Sequence, residues 1–117
     1  MHRPEMKVRI LRQQGYFCPC CNSERPIDLH EIISKAHLAD EYCPIEYRAV
    51  ICRACHQHAN EYMELLINYN IQQYGLERML YVFNRLKDDH NISQTLMDSI
   101  KEILDGYPKG ETPSTGA

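Results

Sequence analysis

The stretch RAVICRACHQHAN, residues 48–60, runs a short apolar segment, a Cys-x-x-Cys pair and a histidine together without a break. Arg48 to Cys52 reads as a short strand, because alanine, valine and isoleucine crowd it. Cys52 and Cys55 sit at the spacing that turns two thiolates toward one point. His56 follows directly, so whatever fixes the cysteines also fixes where the next helix begins. From about Ala54 the pattern is helical and runs to about Tyr74, where Gly75 ends it. On that helix His56 and Asn60 are four apart and share a face.

A second pair, Cys18-Pro-Cys-Cys21, lies in the turn-rich segment YFCPCCNSERP, residues 16–26. Two pairs supply four thiolates, which match the tetrahedral preference of zinc at about 2.3 Å per sulfur. A closed site of four cysteines leaves no position for substrate, so this zinc is structural, held by Cys18, Cys21, Cys52 and Cys55. Cys20 is an alternative to Cys18 or Cys21, although a Cys20–Cys21 pair is sterically poor. Cys43 reads as a lone thiol.

Between the pairs, IDLHEII, residues 27–33, reads as a strand with Ile27, Leu29 and Ile33 on one side. Strand alternation puts Asp28 and His30 together on the other face. SKAHLADEYCPIEY, residues 34–47, is an irregular connection. Upstream, Pro4 opens a helix carrying Met6, Ile10 and Leu11, and Gly15 stops it. Downstream, Leu76, Met79, Leu80, Phe83 and Leu86 trace an apolar stripe on a further helix. Asn91 or Ser93 caps a last one, with Leu96, Ile100, Ile103 and Leu104 facing inward. YPKGETPSTGA, residues 107–117, is a polar tail expected to be disordered. His37, His58 and His90 read as surface or simply hydrogen-bonded histidines.

A chain of 117 residues suits one domain. With 44% hydrophobic and 25% charged residues it has a soluble globular composition. No apolar run approaches the roughly 18–20 residues that span a bilayer, so no membrane partner is expected. The opening MHRPEMKVRI lacks the apolar core of a signal peptide, which points to the cytoplasm. There, reducing thiol pools favour metal binding over disulfides for six cysteines in paired spacing. The net charge of −3 and pI near 6.0 give no global basic field toward nucleic acid. A local patch of Lys7, Arg9, Arg12, Arg25, Lys35, Arg48 and Arg53 is left to supply phosphate contacts.

The order CPxC, a strand ending in HEII, a loop, a strand ending in ICRACH, then a helix resembles the HNH family of the ββα-metal (His-Me finger) nucleases. The likeness is greatest to the small zinc-containing forms common in bacteriophages, and it covers roughly Arg9 to Asn60. A weaker likeness continues through YNIQQYGLERMLYVFNRL. That family presents two adjacent strand residues, a metal ligand and then a general base, commonly DH or HH before an I-I-P stretch. Here the positions hold His30 and Glu31. By this resemblance His30 binds metal, Glu31 takes the place of the base, and His56 is a metal ligand. Asn60 fills the position one helical turn later. The middle N of the family's name orients the base and precedes that histidine by nine residues; here it is Tyr47.

Glutamate is ionised at neutral pH, with a reference pKa of about 4.3, so it can accept a proton, though it is a weaker base than imidazole. Glu31 reads alternatively as a cation ligand. The strand alternation offers a competing register, with Asp28 as ligand and His30 as base. The resemblance implies an α+β fold: a small ββα-metal core with a four-cysteine zinc knuckle, flanked by one N-terminal and two to three C-terminal helices. One domain spans 1–106, with its core at about 16–74 and its C-terminal helices at 76–105.

The expected activity is metal-dependent endonucleolytic hydrolysis of DNA, by nicking or double-strand cutting, in a bacterial host cell. His30, His56 and Asn60 would hold the catalytic cation, for which magnesium, manganese, nickel or zinc all suit such mixed donors. Glu31, His30 and Tyr47 are the expected catalytic residues. The alternative is an inactive module of the same fold that binds DNA or a protein. A purely structural zinc protein would leave the His30–His56 pairing unexplained. The apolar-faced helices after the core offer a surface for a homodimer.

Overall fold

Residues 3–33, 44–88 and 92–108 are described by a computed structural model of the chain. The N-terminal helix α1 spans Arg3–Gln14. It stops at Gly15, whose φ of 87° is a left-handed conformation that glycine adopts without steric cost. The Gly15 and Tyr16 N–H groups both donate to the Leu11 carbonyl, closing the last turn. Strand β1 (Asp28–Glu31) pairs antiparallel with β2 (Arg48–Ile51). The register sets Asp28 opposite Ile51, Leu29 opposite Val50, His30 opposite Ala49 and Glu31 opposite Arg48. Helices α2 (Arg53–His56), α3 (Met63–Tyr74), α4 (Leu76–Leu86) and α5 (Gln94–Gly106) follow. The described residues are thus mixed α and β, five helices and one two-stranded sheet.

Directly opposed residues of an antiparallel pair share a face, so this register gives the sheet two distinct sides. On one side Leu29 and Val50 pack with Met6, Ile10 and Ile45, so α1 covers that face. On the other, Ala49 and Ile51 join the larger core of Ile33, Tyr47, Leu66, Ile67, Met79, Phe83, Ile100 and Leu104. Each fully buried Leu or Ile there contributes about 2 kcal/mol over an exposed one. Asn70 of α3 ties the core to the sheet, donating 2.9 Å hydrogen bonds to the Glu46 and Arg48 carbonyls. The edge of β2 is closed differently. The Gln14 side-chain amide donates to the Val50 carbonyl at 2.7 Å and accepts the Val50 N–H at 3.3 Å.

Several sequence expectations need correction. The helix expected from about Ala54 to Tyr74 is broken. α2 ends at His56, His58 leaves helical geometry at φ −122°, and a 3₁₀ turn over Ala59–Tyr62 intervenes before α3. Between them Gln57, His58, Asn60 and Glu61 are polar and only Ala59 and Tyr62 pack partly against the core, too narrow an apolar face to hold one continuous helix. β1 is also shorter than residues 27–33. Ile27 is 46% exposed, and Ile33 packs in the larger core rather than beside Leu29. The strand ends at Glu31, and one further bond in the same register, from the Ile32 N–H to the Tyr47 carbonyl at 2.7 Å, reaches the turn that precedes β2. Arg48, assigned above to a basic surface patch, is fully buried.

The C-terminal helices match their stripes more closely. Gly75, at φ 92°, separates α3 from α4. Ser93 caps α5, its Oγ accepting the Leu96 N–H; Asn91 lies outside the described residues. Ile100 and Leu104 are buried and Leu96 and Ile103 partly so, with Met97 adding to the same face. Of the tail, Tyr107 packs against the core, and residues 109–117 lie outside the described residues. No helix is long and apolar enough to cross a membrane among the described residues.

Candidate metal centre and histidine pair

The first cysteine pair stands on a tight knuckle. The Cys18 N–H donates to the Ser23 carbonyl at 2.8 Å and the Asn22 N–H to the Cys18 carbonyl at 2.7 Å. Asn22, at φ 65°, supplies the left-handed residue that such a reversal needs. The second pair brackets the start of α2, with the Cys52 sulfur accepting the Cys55 N–H. The Cys52 N–H in turn points at the Cys18 sulfur, 3.4 Å away. The result is a cluster: the sulfurs of Cys18, Cys21, Cys52 and Cys55 all lie within 4.8 Å of one another, and Cys21 and Cys52 approach to 3.6 Å.

Four thiolates around zinc at about 2.3 Å stand roughly 3.8 Å apart on a tetrahedron's edges, so this donor set fits such an ion. These four cysteines could therefore hold a metal ion such as zinc. Among the described residues no other group of three or more His, Cys, Asp or Glu side chains lies close enough to do so. Cys20 stands beside the cluster but outside this group, and Cys43 lies outside the described residues.

Crowding drives the thiols apart in acidity. Burial pushes Cys18 up, but the N–H groups of Cys52, Cys21 and Cys20 outweigh it and bring the thiol down to about 7. Burial, then the nearby Cys18, push Cys20 up to about 12. Cys55 is also raised, chiefly by burial. A divalent cation reverses that penalty by stabilising all four thiolates at once.

Next to the cluster, β1 and α2 bring two histidines together. The ring centroids of His30 and His56 are 5.2 Å apart, edge to face at 67°. Asp28, on the same face of β1 as His30, places Oδ2 3.0 Å from His56 Nδ1. Its other oxygen, Oδ1, is 3.4 Å from the Arg53 guanidinium. The His56 contact, ahead of Arg53, holds the Asp28 carboxyl below its usual range against the opposing effect of burial. In the tautomer whose Nδ1–H donates to Asp28, Nε2 is the ring nitrogen that carries the lone pair, the arrangement that suits a ligand. His30 is pushed down to about 4, mainly by burial and then by the neighbouring His56. It is therefore neutral at neutral pH, with a lone pair to offer.

The remaining expected site residues fall elsewhere. Glu31 lies on the Leu29 face of the sheet, its carboxylate 3.1 Å from the buried Arg48 guanidinium. Tyr47 is fully buried and donates its hydroxyl hydrogen to the Met79 carbonyl at 2.7 Å, toward α4. Asn60 is exposed on the 3₁₀ turn, so the break after His56 removes the helical spacing that paired the two. His58 is exposed and paired with Glu61 at 3.3 Å; His37 and His90 lie outside the described residues. Asp28 was legible only through strand alternation, and nothing in the sequence pattern marked Arg53 as its partner.

The position of Tyr47 gives a test of its own. Tyr47→Phe is expected to lower stability by about 1 kcal/mol, the usual net worth of a buried hydrogen bond. Urea unfolding measures it. The His30 and His56 ring signals in NMR spectra should not move, because the lost contact is on α4.

No protein-family model, no curated protein and no solved structure matches this chain.

Proposed function

We propose that this chain is a zinc-stapled, metal-dependent DNA endonuclease of the HNH type, with β1, β2 and α2 as its ββα-metal core. The observation that carries the reading is the convergence of Asp28, His30 and His56 on one sheet face, beside four clustered cysteines. Zinc on Cys18, Cys21, Cys52 and Cys55 would pin β2 and the start of α2 to the knuckle. That pinning holds His56 against β1.

In this reading the roles follow the register of the strand. Asp28 fixes the ring of His56, whose Nε2 would hold a divalent cation. That cation supplies charge stabilisation at the scissile phosphate. His30 takes the proton from the attacking water. Its depressed pKa keeps it free to accept, at some cost in basicity. Glu31 drops out of the chemistry because its carboxylate is held by Arg48 on the other face.

The decisive experiment incubates metal-reconstituted protein with supercoiled plasmid in magnesium, manganese, nickel or zinc. Wild type is expected to nick or linearise it. His30→Gln should remove that activity, whereas Glu31→Gln should keep most of it while lowering stability through its lost pairing with Arg48. The reverse pattern would return the base role to Glu31.

A second reading is an inactive module of the same fold that binds DNA or a protein. It is favoured by the engagement of Glu31 with Arg48 and of Tyr47 with Met79, which turns both of these positions to structural use. That reading requires that no cation elicit cutting by the wild type.

A further inference from the structure

We propose that Arg53 grips a backbone phosphate of duplex DNA, aimed by Asp28 and set one helical turn from His56; this rests on the DNA reading above. Arg53 and His56 are three residues apart on α2, so their side chains leave the helix on adjacent tracks. One carboxylate spans both, with Asp28 Oδ1 at 3.4 Å from Arg53 and Oδ2 at 3.0 Å from His56. The Arg53 side chain is nonetheless 71% exposed. A guanidinium carries five N–H donors, and among the described residues only one is engaged, at a long 3.4 Å. The others face solvent in the planar fork that matches two phosphate oxygens.

Position beside the histidine pair distinguishes this residue from the other cations. With a formal charge of −3, the chain meets a polyanion only through local cations. Arg48 is buried against Glu31, Arg78 is bound to Glu46, and Lys101 to Asp105. Arg53 is the cation in direct contact with the Asp28–His56 pair. A phosphate on its fork would bring the neighbouring phosphodiester to the histidines. Asp28 limits the swing of the side chain while engaging one of its donors.

The test measures binding, so it stands apart from cutting. Zinc-loaded full chain is titrated against a fluorescent duplex oligonucleotide in calcium, over a range of salt concentrations. Arg53→Ala is expected to weaken binding about tenfold and to reduce the slope of log K against log salt by about one. Arg53→Lys should keep the slope while losing part of the affinity, because a point charge replaces a fork. Arg85→Ala, on α4, should change neither. Wild-type affinity and slope in Arg53→Ala would overturn the proposal, and so would a wild type that binds no duplex. Arg53-dependent binding without plasmid cutting in any cation would uphold it while sinking the nuclease reading.

Discussion

Replacing Cys52 with serine is expected to release the metal and abolish the cooperative fold. Cys52 serves the cluster twice, through its own sulfur and through its N–H on Cys18. Its sulfur also caps the start of α2 by accepting the Cys55 N–H. A structural zinc contributes an apparent binding free energy of about 10–16 kcal/mol, which is folding free energy when the site does not exist in the unfolded chain. The whole stability of a domain this size is about 5–15 kcal/mol, so losing the ion leaves nothing in reserve. Metal analysis of wild type should find one zinc per chain, and circular dichroism of Cys52→Ser should show loss of the sigmoidal melt. Cys20→Ser should keep the zinc, since Cys20 lies outside the group of four. A wild-type protein that is zinc-free and still melts cooperatively would refute the assignment.

His56→Ala is expected to remove plasmid cutting by about three orders of magnitude, the equivalent of several kcal/mol of charge stabilisation at the phosphate. The fold should survive it. The His56 side chain is 38% exposed and belongs to neither apolar core, so the stability change should stay within about 1 kcal/mol. Asp28→Asn is the graded companion. It leaves a neutral amide beside Nδ1 and should cost about ten- to a hundredfold, the usual effect of disturbing the partner of a ligating histidine. Equal cutting by wild type and His56→Ala, at matched zinc content, would remove the histidine pair from the mechanism.

What the sequence disclosed and what it withheld divide along physical lines. Cys-x-x-Cys spacing, the glycine stops at Gly15 and Gly75 and the Ser93 cap are local signals, decided within a few residues, and all are present in the structure. The stripe of α4 is local too, with Met79 and Phe83 buried as its spacing requires. The break after His56 was not legible, because helical periodicity counts positions without asking whether an apolar face exists to hold them. Nor could the partners of Glu31 and Tyr47 be read. Arg48 and Met79 are brought to them by strand pairing and by the packing of α4, at separations no motif encodes. Family resemblance pointed to the adjacent pair His30-Glu31, while alternation pointed to Asp28 with His30, and the side chains contacting His56 are those of Asp28 and His30.

The clasp of Gln14 on Val50 bears on what the outer edge of β2 can pair with. A two-stranded ribbon leaves a rail of unpaired amide and carbonyl groups along each strand, and such a rail templates the addition of strands from other chains. Here one side-chain amide imitates the next strand, offering the donor and the acceptor that a neighbouring backbone would bring. The end of the first helix is therefore a plug as well as a cover. Shorten that helix, or put leucine at position 14, and the sheet acquires an open seam through which copies could zip together into insoluble material.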